Sequence, residues 1–363
     1  MSFTAADHGH MTHAIRLAER GLGTTTPNPR VGCVLVLDGI VVGEGWHEKA
    51  GEPHAEVHAL RMAGDRSHGA TAYVSLEPCS HHGRTPPCAN ALIDAGVTRV
   101  VTAMADPNPR VAGQGIQLLT LAGIRAEVGL LADEARELNI GFVSRMTRGR
   151  PWVRVKTAAS LDGKTALTNG GSKWLTGPAA RRDVQTWRAR ACAILTGAGT
   201  VRADDPQMNV REIAVGRQPL RVVVDSGLTT PVAARILAGG PVLIACATEP
   251  TERRAALEAA GAEVVCLPGP GRRVGLTALL VELARRGVNE LHVEAGATLN
   301  GALLEAGLVD EWLAYLAPTV VGHHARGLFD LPELTDLADR RGFILRDAGM
   351  VGDDLRLILR PLA

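Results

Sequence analysis

Residues 52–88 read EPHAEVHALRMAGDRSHGATAYVSLEPCSHHGRTPPC. Pro53 stands just before a helical pattern that Gly64 stops, which predicts a helix over 54–64. Residues 70–76 read as a strand, and 87–95 as a second helix closed by Gly96. This frame carries three residues of metal-ligand type: His54, Cys79 and Cys88. One imidazole and two thiolates suit tetrahedral zinc with the fourth position left to water, as in catalytic rather than closed structural sites. Glu56 follows His54 by two. Mid-helix, that offset would not share a face. At a helix N-terminus both side chains can reach a metal seated on the helix end. Zinc brings the pKa of bound water towards 7, and a nearby carboxylate can carry the proton to a leaving amine.

His-x-Glu followed by Pro-Cys-x-x-Cys is the zinc deaminase signature. Here eight residues, not two, separate Cys79 from Cys88, and they include His81 and His82. Either histidine could complete a closed four-ligand site. That alternative leaves Glu56 and the Glu77-Pro78-Cys79 context unexplained. His58 follows His54 by four, but Ala55 stands where a zinc protease needs Glu, so His58 reads as a packing residue. Cys33 reads as a core residue in mid-strand. Asn28, between Pro27 and Pro29, can present an amide to a pyrimidine edge or simply shape its turn.

Outward from this segment, helical and β-type runs alternate, the pattern of an α/β protein with a largely parallel sheet. Met11, Ile15, Ala18 and Leu22 recur at helical spacing. Residues 31–37 and 40–42 read as strands joined by Asp38-Gly39, a hairpin signal. Strands over 97–103 and 124–128 and helices over 114–122 and 132–142 follow. Arg148-Gly149-Arg150-Pro151 interrupts the pattern and marks the expected boundary between domains 1–147 and 148–363. Beyond it, strands are expected over 152–158, 193–196, 220–224, 242–245, 263–267, 290–294 and 311–317. Helices are expected over 179–191, 252–260, 276–286 and 298–306.

The 363 residues suffice for two domains, each able to bury a core. A hydrophobic fraction of 46% and a charged fraction of 21% describe a globular chain. The net charge of +1 argues against a long nucleic-acid backbone as partner. Five Trp, four Phe and two Tyr leave little for base-stacking platforms. The apolar runs are too short for a membrane span, and the polar N-terminus does not read as a signal peptide. Six cysteines are too sparse for a disulfide scaffold, so the chain reads as cytoplasmic with reduced thiols.

The second half offers weaker signals. Glu294-Ala295-Gly296-Ala297-Thr298 ends a β-run and opens a helix, where small residues let backbone approach a pyrophosphate. A plain tight turn explains the same residues. Only four Lys stand against 35 Arg, and Lys156, Lys164 and Lys173 fall in one stretch. Retained Lys suggests that a compact ammonium is wanted; chance clustering is the alternative. Lys156 precedes Ser160-Leu161-Asp162-Gly163, a plausible active-site rim.

TPNPRVGCVLV, GEGWHEKAGEPHAEVHAL, EPCSHHGRTPPC and DPNPRVAGQG strongly resemble the first half of the bifunctional deaminase–reductases of riboflavin biosynthesis. ASLDGKTA, SKWLTGPAARRDVQ, ILTGAGTVRADDPQMNVR and VEAGATLNGALLEAGLVDE resemble their second half, in the same order. The likeness weakens over 229–273 and beyond Phe329. It implies a cytidine-deaminase-like domain followed by a dihydrofolate-reductase-like one. The first would deaminate a diaminopyrimidine bearing a phosphoribosylamino group; the second would use NADPH to reduce the ribosyl chain. Zinc would be held by His54, Cys79 and Cys88, with Glu56 as proton shuttle. Asn28 and His47 would line the pyrimidine pocket, while His81, Arg84, Asp106 and Asn108 would meet the ribose phosphate. Lys156 would lie near the reacting sugar carbon. NADPH would contact Ala158, Trp174, Thr200, Asp204 and Ser226. It would also contact the segment Gly296, Ala297, Thr298, Leu299, Asn300, Gly301 and Ala302. Ser172, Arg188, Met208, Arg211 and Glu294 would contact substrate, the two Arg as phosphate partners. Asp225 points mildly the other way, since an acidic residue at a strand end can bind the bare ribose diol of NADH. The resemblance also implies a homo-oligomer. Two rivals remain: a nucleic-acid deaminase with a C-terminal RNA-binding module, and a non-enzymatic zinc protein with a scaffold half.

Overall fold

The structure is a computed structural model that describes residues 3–362 except 81–86 and 110. The chain forms two compact units, Met1–Arg150 and Pro151–Ala363. No helix among the described residues is long and apolar enough to cross a membrane.

The first unit runs α1 (Ala5–Glu19), β1 (Gly32–Leu37), β2 (Ile40–Trp46), α2 (Ala55–Ala63), β3 (Thr71–Val74), α3 (Cys88–Asp94), β4 (Arg99–Thr102), α4 (Gln114–Leu121), β5 (Arg125–Val128), α5 (Ala132–Leu138) and α6 (Ile140–Arg148). Its sheet has the order β2-β1-β3-β4-β5. β1 is antiparallel to β2 and β3, and β3, β4 and β5 are parallel. Alternate residues of β1 feed two cores. Val34 and Val36 join Met11, Ala14 and Leu17 of α1. Cys33 and Leu35 join Ala59, Leu92 and Leu119 of α2, α3 and α4. Cys33 is therefore the core residue expected. Gly43 and Gly45 in β2 bring α2 close: a Cβ on Gly43 would strike the Ala59 carbonyl, and one on Gly45 would strike the Ala55 carbonyl and His58 Cβ. That close packing fixes where the N-terminus of α2 lies.

The expected helix over 132–142 is two helices. Asn139 leaves helical geometry (φ −104°, ψ 20°) because its buried amide accepts from Arg30 N at 2.8 Å and donates to Arg30 O at 2.9 Å. Helix α6 ends at Gly149, in the left-handed region at φ 66°, just ahead of the break between units.

The second unit runs β6 (Trp152–Ser160), α7 (Pro178–Arg190), β7 (Ala193–Gly197), α8 (Ala198–Asp204), β8 (Leu220–Val224), β9 (Val242–Cys246), α9 (Thr251–Ala259), β10 (Ala262–Cys266), α10 (Leu276–Arg285), β11 (Glu290–Val293), α11 (Ala297–Glu305), β12 (Glu311–Ala317), β13 (Phe343–Val351) and β14 (Asp354–Pro361). Helix α8 and the closing hairpin β13–β14 were not expected. The sheet order is β10-β9-β8-β7-β11-β6-β12-β14-β13, parallel as far as β12 and antiparallel in the hairpin. One face of β6 and β11 is apolar, with Val153, Val155, Leu291 and Val293 packed on Leu279, Leu283 and Leu303. The other face is charged. Fully buried Arg154 donates to Glu311 at 2.5 Å and to Glu290 at 3.1 Å. Arg190 also reaches Glu290 (2.7 Å), and Arg360 of β14 reaches Glu311 (3.0 Å). Cations on three elements thus neutralise two carboxylates that burial would otherwise make costly.

Candidate functional sites

In the first unit, His54 is the N-cap of α2, extended at φ −77° and ψ 166°, and Glu56 lies in the first helical turn. Both therefore stand at the helix end, where their offset of two is no obstacle. Cys79 follows β3, and Cys88 begins α3. His54 Nδ1 lies 3.3 Å from Cys88 Sγ and 3.7 Å from Cys79 Sγ, and Cys88 N donates to Cys79 Sγ at 3.3 Å. The three donor atoms lie within 4.8 Å of one another. Two soft thiols and one imidazole nitrogen, converging at that spacing, fit zinc. The two thiols ionise unequally. The hydrogen bond from Cys88 pulls Cys79 down, and the same bond, with burial, pushes Cys88 up. Glu56 is 3% exposed. Burial, with Cys79 beside it, pushes its carboxyl up to about 7. A carboxyl that titrates near neutrality can both take and return a proton.

His47 and Asn28 form one unit beside this centre. The Pro53 carbonyl can only accept, so His47 Nδ1 donates to it at 3.1 Å, leaving Nε2 to accept from Asn28 Nδ2 at 3.1 Å. Burial lowers the pKa of His47, which keeps this neutral form. Its ring stands edge-on to His54, centroids 5.3 Å apart. Asp106 and Asn108 lie on the loop after β4, where Asn108 N donates to Asp106 Oδ1 at 2.8 Å. His81, His82 and Arg84 lie outside the described residues.

In the second unit, a cleft of about 1420 Å³ opens at the carboxyl ends of the strands. Its walls include Lys156, Ala158, Ser172, Trp174, Arg188, Thr200, Asp204, Met208, Arg211, Ser226 and Glu294. Gly296, Ala297, Thr298, Leu299, Asn300 and Ala302 also line it. Gly301 does not. It faces the backbone of Asp330, which a Cβ there would strike. Gly296 caps α11, and a Cβ on it would meet nothing within 4 Å, so the helix N-terminus is open to an approaching group. Asn300 is 2% exposed; its amide donates to Ala295 O at 3.1 Å, and its Oδ1 is a buried acceptor without a partner in the structure. These features fit a dinucleotide cofactor laid along α11.

Two charges of the cleft have partners within the protein. Arg188 forms a two-toothed pair with Glu294 (Nε–Oε1 2.5 Å, Nη2–Oε2 2.9 Å) and donates to Asn209 O at 2.8 Å. Its fork is already engaged within the protein, so Arg211 is the more open of the two cations: its side chain is 48% exposed against 8%. Asp225 turns inward, accepting from Thr230 N (2.6 Å), Thr230 Oγ1 (2.7 Å) and Thr229 Oγ1 (3.0 Å). It is spent on its own turn, which the sequence did not reveal. Lys156 is half-buried beside Glu294 and Arg188, and desolvation lowers its pKa.

The first site defines a zinc-dependent deaminase, and the second a nucleotide-dependent reductase. Two family models match: the cytidine and deoxycytidylate deaminase zinc-binding region over residues 4–104, and the RibD C-terminal domain over 151–350. The riboflavin biosynthesis protein RibD of Escherichia coli is 49% identical, covering 97% of this chain and 99% of that protein. That of Haemophilus influenzae is 47% identical over 99% of each. The structure of Acinetobacter baumannii RibD superposes with a TM-score of 0.92, at 46% identity over 99% of each chain. A Thermotoga maritima diaminohydroxyphosphoribosylaminopyrimidine deaminase/5-amino-6-(5-phosphoribosylamino)uracil reductase gives 0.88, at 31% identity over 98% of this chain and 99% of that one. The chain belongs to the RibD family of riboflavin biosynthesis, with a cytidine-deaminase-like domain followed by a dihydrofolate-reductase-like one.

Proposed function

We propose that the first unit hydrolyses the amine from 2,5-diamino-6-(5-phosphoribosylamino)pyrimidin-4-one. The second unit then reduces the ribosyl chain of the resulting aminouracil to ribityl phosphate with NADPH. The observation that carries this reading is the convergence of His54, Cys79 and Cys88 beside a buried carboxyl, Glu56, in the first turn of the helix that His54 caps. Bound zinc supplies a Lewis acid that makes water acidic enough to attack at neutral pH. Glu56 takes the proton of the attacking water and returns it to the departing amine. Asn28, its amide oriented by His47, presents hydrogen-bonding groups to the pyrimidine. Asp106 and Asn108 serve the ribose phosphate end, a role that the resemblance also gives to His81 and Arg84.

In the second unit NADPH supplies the hydride. Ala158, Trp174, Thr200, Asp204, Ser226 and the start of α11, which line the cleft together, would hold the cofactor. A hydride arriving at the sugar carbon requires a proton at its oxygen, and Lys156 holds one. Ser172, Met208, Arg211 and the Arg188–Glu294 pair shape the substrate side. The reaction is placed in the cytoplasm, where Cys79 and Cys88 stay reduced. Small molecules rather than nucleic acid are the partners, in keeping with a net charge of +1. The exposed Ile344, Leu345 and Met350 of β13 support a homo-oligomer.

The test is to incubate the protein with the diaminopyrimidine, with and without NADPH, and to identify the products by mass. The expected products are the aminouracil and ammonia without NADPH, and the ribityl compound with it. Absence of ammonia release from zinc-loaded protein would overturn the reading.

A further inference from the structure

Glu77-Pro78-Cys79 contributes a metal ligand through Cys79, but the reaction as derived gives Glu77 no part. Glu77 is 5% exposed, at a depth where a carboxylate is costly unless it is well satisfied. Four backbone N–H groups converge on it. Oε1 accepts from Gly115 (2.8 Å) and Ile116 (3.3 Å), and Oε2 from Asp106 (3.0 Å) and Gly113 (3.0 Å). Two of these donors belong to the first turn of α4, whose N–H groups have no helical partner of their own. The other two belong to the loop between β4 and α4. Next to Glu77, the Pro78 carbonyl sits where a Cβ on Gly115 would be, so only glycine admits this contact. Cys79 O in turn accepts from Ala89 N of α3 at 3.1 Å.

One carboxylate therefore joins the metal-ligand segment to the loop that carries Asp106 and Asn108. The constraint passes on along that loop: Asp106 Oδ1 holds Asn108 N, and Asn108 O holds Val111 N and Ala112 N, both at 3.0 Å.

We propose that Glu77 is a positioning residue of the deaminase: it sets the distance between the metal centre and the loop that receives the phosphorylated ribose. The proposal rests on the deaminase reading above. Glu77 touches neither metal ligand nor substrate through its side chain; it acts through the backbone of Asp106.

Glu77→Gln tests it without a change of size. An amide keeps one acceptor oxygen and turns an NH₂ group on the other two N–H donors, so half of the cradle is lost whichever way it sits. Zinc content is expected to stay at one per chain and kcat to change less than about threefold. KM for the phosphorylated diaminopyrimidine is expected to rise at least about tenfold, the loss of one charge-assisted hydrogen bond. Reduction of supplied aminouracil by the same protein should be unchanged and shows that the second unit is folded, while retained zinc shows that the first is. Glu77→Asp packs worse than Gln but restores both oxygens, and should recover part of the KM loss. A volume defect alone would make Asp the poorer of the two. Amide exchange at Asp106, Gly113, Gly115 and Ile116, followed without substrate, should quicken about tenfold or more at one pair in the Gln variant.

Zinc loss, or a fall in kcat with KM unmoved, would assign Glu77 to the metal segment and overturn the proposal. Unchanged KM with unchanged exchange would overturn it as well. The exchange arm needs no turnover, so it still decides the case if the unaltered protein releases no ammonia and the deaminase reading itself falls.

Discussion

Replacing Glu56 by Gln removes one proton-carrying oxygen and almost nothing else. The side chain keeps its volume and its place in the first turn of α2. General acid–base catalysis contributes about 10²–10⁴-fold, so deamination should fall by at least about a hundredfold. Zinc should stay, because the three converging donors are His54, Cys79 and Cys88. Stability supplies a control whose sign can be worked out. Burial raises the Glu56 carboxyl from its ordinary 4.5 to about 7. An acid held protonated by the fold costs nothing below its unfolded pKa. The penalty grows between about 4.5 and 7 and is complete above 7, at roughly 3 kcal/mol by linkage. Metal-free Glu56→Gln protein should therefore unfold at higher denaturant than the parent at pH 8, and at nearly the same denaturant at pH 4. Lost activity could then not be blamed on a weakened fold. The assay pairs ammonia release with metal analysis and denaturant midpoints at the two pH values. Retention of more than about a tenth of the activity would refute the proton-shuttle role.

Cys79→Ser or Cys88→Ser should lose zinc and deamination together, whereas His82→Ala should keep zinc; metal analysis of the three decides the ligand set. Removing zinc from the whole chain by chelation should abolish deamination and leave reduction intact, with NADPH preferred over NADH in titrations of both. Equal efficiency with NADH would contradict the reading that Asp225, closed on Thr229 and Thr230, does not bind a ribose diol. Arg188→Ala would leave the half-buried Glu294 without its two-toothed partner and should cost about 1–3 kcal/mol of stability, read from denaturant midpoints.

The metal centre was legible because its chemistry restricts residue types and because Pro53 announces a helix start. The structure puts His54 and Glu56 on that helix end. Asn28 stands out between its two prolines, but His47 was named only through resemblance: the two lie nineteen apart in sequence, and no periodicity links them. In the second unit the turn before α11 was visible as a run of small residues. Its internal division was not, since Gly301 looks like its neighbours yet serves packing on Asp330. From sequence Asp225 offers a carboxylate to a ribose diol, and Arg188 a cation to a phosphate. Their partners, Thr230 and Glu294, show only once turns and neighbouring strands are assembled. The hairpin β13–β14 escaped because a register shift between Leu345 and Asp347 breaks its alternation, and five consecutive residues of β13 are exposed.

That same hairpin bears on the order in which the chain is made. Strand β14 pairs with β12, which pairs with β6, the first strand after the break between units. Arg360, near the very end, also supplies a cation to the buried Glu311. The reductase sheet is thus completed only once β14 has been made, while every strand of the deaminase sheet precedes β6 in the chain. The two catalysts are completed at different times: the deaminase sheet can close while the second unit is still being made, and β12 stays an open edge until β14 arrives.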